Sequence, residues 1–197
     1  MCRAGRSPVA AALLGITALG AEAQDDGKIV NVRNAGAFAC EDVIKIVEGP
    51  ELQLEKTAFM QWTAAYVTAA SRSNSLIDVF PIGDTWELVR MTRLVCYENK
   101  SFEYELALRI AIGRLRPFWI SDRPDILTLG DPNGREIQFY VEAVPALQRA
   151  LKDKGAVVLA DGKFGNQTGR AIHDMNAARG YEPWSTPDGD LLYHLTR

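Results

Sequence analysis

The chain has 197 residues, 47% of them hydrophobic and 24% charged, with a formal net charge of −3 and an isoelectric point near 5.5. That length allows one large domain or two small ones. The mild acidic excess argues against nucleic acid or an anionic lipid surface as the main partner.

Arg3 and Arg6 precede an apolar run from Val9 to Gly20, and Ala21-Glu22-Ala23 then sets small residues at the two positions a signal peptidase reads. This pattern predicts a secretory signal peptide over residues 1–23, cleaved before Gln24. The run is too short to span a bilayer core of ~30 Å, and no later segment is long and apolar enough. No stable membrane insertion is therefore expected after cleavage. Cys2 lies before the apolar run, so the bacterial lipoprotein pattern is absent. Losing Arg3, Arg6 and Glu22 leaves 20 basic and 24 acidic side chains, a net charge near −4. It also leaves two cysteines, Cys40 and Cys96, and two cysteines in an exported chain read as one disulfide.

From about Asn34 to Arg116 the pattern is helical, which predicts a helical domain over residues 24–116. Phe38, Val43, Ile46 and Val47 predict a first helix carrying Cys40. Phe59, Trp62, Tyr66, Val67 and Ala70 mark a second, with aromatic residues at helix-face spacing, and Ser71 to Asn74 reads as a polar break. Asp84 caps a third helix, with Glu87 three residues on in the capping-box arrangement; Trp86, Val89, Met91, Leu94 and Val95 lead up to Cys96. The disulfide then staples the first helix to the end of the third. A fourth helix opens at Ser101, carries Leu106, Ile110 and Leu115 on one side, and ends at Pro117. Arg109, Arg114 and Arg116 read as a solvated helix face.

Residues 117–136 form a connecting segment. Pro117, Pro124, Pro132 and Gly134 break regular structure, yet Phe118, Trp119, Ile120, Ile126, Leu127 and Leu129 are too apolar for a free linker and predict packing on a neighbouring domain. The Asp131-Pro132-Asn133-Gly134 turn closes a small hairpin with arms Ile126–Leu129 and Glu136–Phe139. Beyond it, Val144, Leu147 and Leu151 recur at helical spacing up to Gly155, which suits a helix C-terminus at positive φ. Asp161-Gly162 and Gly165 are turn residues. Phe164 is the one large apolar residue of that turn and is expected to plug it into the core. Thr168 or Asn166 caps the next helix, whose apolar side is Ala171, Ile172 and Met175. After Gly180 a short third helix follows, capped by Asp188 or Asp190, with Leu191, Leu192 and Leu195 inward.

The run L-Q-x-x-L, Gly155, then Asp161-Gly162-Lys163-Phe164-Gly165-Asn166-Gln167-Thr168 and Ala171-Ile172 resembles the three-helix peptidoglycan-binding module of cell-wall hydrolases and envelope proteins. The likeness covers roughly Ile137 to Leu195. Met175-Asn176 stands where the family usually has Phe-Gln. The resemblance implies a small three-helix domain over 137–197, a periplasmic location, and peptidoglycan as ligand. Asp161, Phe164, Thr168, Tyr181 and Trp184 are the candidate binding residues: the first three by the motif, the last two as aromatic faces for sugar stacking beside the Phe164 loop and the second helix.

The N-terminal half has a second likeness. Trp62, Tyr66, the polar Ser71–Asn74 stretch, Trp86, Cys96 and Leu106-Ala107-Leu108 resemble acid-stress periplasmic chaperones and the related immunity proteins of type VI secretion. Those families often carry Tyr-Cys, where this chain has Cys96-Tyr97, and a glycine where it has Ala65. The residues alone read equally as core aromatics of a helical bundle.

No Ser-x-x-Lys, His-Glu-x-x-His, Gly-x-Ser-x-Gly or phosphate-binding loop occurs. Glu41-Asp42 and Glu103/Glu105 read as surface helix charges, and His173 and His194 form no metal-site spacing with a cysteine. The expectation is a mainly α, disulfide-stapled protein with no catalytic residues, no metal and no cofactor. It binds peptidoglycan through its C-terminal domain and meets a protein partner through the helical one. Two alternatives of other classes stand beside it: a periplasmic chaperone or effector-neutralising protein whose C-terminal module is an anchor or fold only, and a small wall-modifying enzyme.

Overall fold

Seven α-helices and one two-stranded sheet make up the described part of the chain, residues 32–50, 53–132 and 134–197 of a computed structural model. The expected signal peptide lies outside the described residues. The helices are α1 (Cys40–Glu48), α2 (Gln53–Ser73), α3 (Thr85–Glu98) and α4 (Tyr104–Arg114). The hairpin β1 (Ile126–Gly130) and β2 (Glu136–Tyr140) follows, and then α5 (Val144–Asp153), α6 (Asn166–Ala177) and α7 (Gly189–Leu195). Mainly helical architecture is what the periodicity predicts.

The N-terminal half is built on α3, which buries Leu88, Val89, Met91, Val95 and Cys96. Asp84 caps it, its Oδ1 accepting from the Trp86 N–H at 2.9 Å. Glu87 is not the other half of a capping box: it is 5% exposed and turned toward α7. The Cys40–Cys96 disulfide ties the start of α1 to α3, with both cysteines fully buried. Phe38 stands outside α1, 43% exposed, its ring edge-on to Phe59. The second helix runs on through Ser73, so the polar residues at 71–73 extend it instead of breaking it. Ser71 is buried, and its Oγ accepts from the Val79 N–H.

The fourth helix begins three residues later than Ser101, because Asn99 Oδ1 takes both the Ser101 N–H and its hydroxyl and holds a turn there. Its buried side is Ala107, Leu108, Ala111 and Ile112, with Leu115 just beyond; Leu106 and Ile110 are only half-buried. Tyr104 sets that rotation. It is fully buried, its hydroxyl 2.7 Å from Thr63 Oγ1 and its ring edge-on to Phe59. The helix stops at Arg114, and Pro117 lies in the following 3-10 turn. Arg114 does not sit on a merely solvated face: it makes a two-pronged pair with Glu98, both contacts 2.8 Å.

Residues 117–132 and 134–136 pack as an integral part of the fold. Phe118 and Ile120 are buried, and Ile120 bridges Asp78. The hairpin pairs antiparallel in the register Ile126↔Tyr140 to Gly130↔Glu136, as the turn signal predicts. The far edge of β2 meets the α2–α3 connection, where Gly83 N–H donates to Gln138 O and Tyr140 N–H donates to Pro81 O. A domain boundary drawn at 136/137 would fall inside β2.

Glu142 fastens the connector. Its carboxylate accepts from the N–H groups of Ser121, Asp122 and Arg123 and from the Ser121 hydroxyl, at 2.9–3.1 Å. Desolvation pushes this carboxyl up, but the N–H groups outweigh it and hold the value at about 2, against an ordinary 4.5. A depressed value means stability that is complete above the unfolded-state value and lost as pH falls toward 2. Glu142→Gln is therefore expected to lower Tm near neutrality, with the gap to wild type closing by about pH 2. Thermal melts across that range check it; a gap that does not change with pH would contradict it.

The short α7 lies against α3. Asp188 caps it, Oδ1 accepting from Leu191 N–H at 2.7 Å, and Leu191, Leu192 and Leu195 point inward as predicted. Three carboxylates and three guanidiniums join the two helices and the hairpin. Glu87 accepts from Arg135 Nη2 at 2.8 Å and from Gly189 N–H at 2.9 Å. Asp190 accepts from Arg90 and, at 3.2 Å, from Arg93. Arg135 also reaches Asp188 at 3.5 Å. Residues 32–197 cluster as one compact unit, with buried residues of α1, α3, α4, α5, α6 and α7 in a single apolar core.

Candidate functional site

The octet 161–168 is organised by a residue outside it, Gln148. On α5 this side chain falls between Leu147 and Leu151 and is 1% exposed. Its Nε2 lies 3.0 Å from Asp161 Oδ1, 3.0 Å from the Lys163 carbonyl and 3.1 Å from Thr168 Oγ1. Its Oε1 accepts from Gly162 N–H at 2.8 Å. Asp161 Oδ1 also accepts from Lys163 N–H at 2.9 Å. The Lys163 N–H, then the Gln148 amide, hold the Asp161 carboxyl below its ordinary value. Gly162 reverses the chain at φ 76°, and Gly155 ends α5 at φ 90°.

The candidates from the sequence separate into two places. Asp161, Phe164 and Thr168 belong to the loop. Phe164 is partly buried against the core, and Thr168 is 2% exposed. Neither Thr168 nor Asn166 caps α6; Gly165 does, in extended conformation and with no side-chain hydrogen bond. Thr168 sits inside the first turn, where its hydroxyl is taken by Gln148 and cannot reach back to free N–H groups. Tyr181 and Trp184 lie beyond α6, with rings that already have neighbours. Tyr181 packs against His194 at 5.5 Å and its hydroxyl is 3.1 Å from His194 Nε2. Trp184 carries the Arg135 guanidinium 5.4 Å over its face, and its carbonyl accepts from Asn176.

Sequence reasoning carried Gln148 only as part of the L-Q-x-x-L pattern and gave it no role. The signal was available: an amide between two leucines on the buried face of an amphipathic helix must find partners inside. Gln148→Ala would leave the Gly162 N–H and the loop's acceptors unmatched. A loss of about 2–3 kcal/mol is expected, with faster amide exchange confined to residues 159–168. Hydrogen exchange checks this, and uniform protection in the variant would refute it.

A groove of about 820 Å³ runs along α6. One wall is the chain leaving α5, Lys154 to Val157; the other carries Asn166, Arg170, Asp174, Met175 and Arg179. Val157 is 86% exposed there, and Leu159 nearby 66%. None of the five candidate residues lines this groove. Asp161, Phe164 and Thr168 instead brace the loop that leads into α6 from the end of the Lys154–Val157 wall.

Glu41 and Asp42 pair with Lys45 on the exposed face of α1, and Glu105 accepts from Tyr66. Among the described residues no group of three or more His, Cys, Asp and Glu side chains converges as metal ligands would. No described helix is long and apolar enough to cross a membrane. Comparison of the chain with family models, with curated proteins and with solved structures gave no match.

Proposed function

We propose that the protein is an exported, non-catalytic envelope protein that holds peptidoglycan through residues 137–197 and offers its disulfide-stapled helical region to a protein partner. The observation that carries the reading is the groove along α6, joined to a loop whose D-G-x-F-G-x-x-T residues are fixed from behind by Gln148. A preformed concave site on rigid elements is the usual setting for ligand binding. The motif residues act as its scaffold, so Asp161 and Thr168 shape the site while α6 presents it. Tyr181 and Trp184 stand beside the region as contacts for a longer wall fragment.

The test is co-sedimentation of residues 24–197 with isolated sacculi. Most of the protein is expected in the pellet, with release by soluble wall fragments and no solubilised wall material. Recovery wholly in the supernatant at low salt would overturn the reading. Release of soluble fragments from the sacculi would replace a binder with an enzyme.

A further inference from the structure

The groove along α6 has a chemistry of its own, and an inference from it rests on the wall-binding reading. Its lining contains no aromatic ring. Sugar rings are typically held by flat aromatic faces, and the two aromatic candidates, exposed Tyr181 and half-buried Trp184, lie elsewhere against His194 and Arg135. What the groove offers is small and apolar below, with Ala171, Met175 and Ala178, and cationic at the rim, with Lys154, Arg170 and Arg179 against one carboxylate, Asp174. That carboxylate already faces His173 Nδ1 at 3.1 Å. Lys154 Nζ is engaged by the Arg197 carbonyl at 2.9 Å, which leaves the two arginines as the groove's outward-facing cations.

Arg170 and Arg179 are nine positions apart. Arg170 lies on α6 and Arg179 just past its end, and both line the groove. Guanidinium groups match carboxylates in geometry as well as charge.

We infer that the groove takes the peptide of the wall and not its sugar: an extended chain of small residues, its methyl groups on Ala171, Met175 and Ala178 and two free carboxylates at Arg170 and Arg179. The stem peptide of peptidoglycan has this chemistry, with alanine methyls, an α-carboxylate on its γ-linked glutamate and a C-terminal carboxylate.

Calorimetric titration of residues 24–197, which contain the whole compact unit, tests this with three soluble probes. They are the pentapeptide L-Ala-γ-D-Glu-L-Lys-D-Ala-D-Ala, the same peptide with both carboxylates amidated, and chitotetraose. The acid peptide is expected to bind, more weakly as salt rises. The amidated peptide should bind at least tenfold more weakly, and chitotetraose should give no heat. Arg170→Glu and Arg179→Glu are surface changes that leave the fold intact by circular dichroism; each should weaken the acid peptide about tenfold, the loss of one charge-assisted hydrogen bond. Binding of chitotetraose, or equal binding of the acid and amidated peptides, overturns the inference. If the protein pellets with sacculi but ignores the peptide, the inference fails and the wall-binding reading stands. If it does not pellet, that reading falls and takes the inference with it.

Discussion

Glu87→Ala is expected to destabilise the protein by about 3–5 kcal/mol, the usual consequence of removing one partner from a buried ionic group. Glu87 is 5% exposed and serves three donors: Arg135 at 2.8 Å, Gly189 N–H at 2.9 Å and, more distantly, Arg90 at 3.4 Å. Alanine would leave the cluster with three guanidiniums against Asp188 and Asp190, one carboxylate short in a largely buried place. It would also strand the buried first N–H of α7 without its acceptor. For a chain of this size the loss corresponds to a Tm drop on the order of 10 °C. Glu87→Gln keeps an acceptor for Gly189 but not the charge, and should fall between alanine and wild type. Gly189→Ala approaches the same contact from the other side. A Cβ there would lie 1.9 Å from the Glu87 carbonyl oxygen, so α7 must lift from α3. Chemical denaturation of the three variants settles the matter; an alanine variant within about 1 kcal/mol of wild type would show that the cluster is not a stabilising clasp.

Removing the Cys40–Cys96 bond, as the double alanine variant, should cost about 4 kcal/mol for a closed loop with a sequence separation of 56. The bond fixes α1, a nine-residue helix whose exposed side is charged and whose buried side is Val43, Ile44, Ile46 and Val47. An isolated helix of that length is marginal in water, so α1 depends on its anchor. Both sulfurs belong to fully buried residues, which ties chemistry to unfolding: a small reductant should act at the rate at which the protein opens. Guanidinium titrations with and without reductant, and reduction rates across reductant concentration, check both parts. Fast reduction proportional to reductant, without unfolding, would show that the region around α1 opens locally.

What the sequence revealed depended on whether a residue's partner lies nearby in the chain. The caps at Asp84 and Asp188, the Gly155 helix stop and the hairpin around 131–134 are local devices, so their signals sit within a few residues. The disulfide was legible by elimination, because Cys40 and Cys96 are the two cysteines beyond the expected signal peptide. Misreadings arose where a distant group claimed a side chain. Glu87 matches a capping box in sequence, but Arg135 and Gly189, 48 and 102 positions away, take its carboxylate. Thr168 looks like a cap, but Gln148 has its hydroxyl. The inward side of α4 was displaced by Tyr104, whose hydroxyl meets Thr63, 41 positions away, while its start moved for a local reason, the turn that Asn99 holds at Ser101. The loop motif was readable and the groove was not, because the groove is a shape made by two walls whose residues are unremarkable individually.

The seating of α7 on α3 also sets an order of events. Ribosomes deliver the chain from the N-terminus, and bringing residues near 87 and 189 together closes a loop of 102 positions, at an entropic cost of about 4 kcal/mol. Until the final helix arrives, Arg90 and Arg93 wait without Asp190, and the apolar side of α3 has no cover there. Helices α1 to α4 can assemble early from short-range contacts, whereas completion waits for α7. Contacts this remote slow folding, so a chain cut short before residue 188 should stall as an open, protease-sensitive bundle.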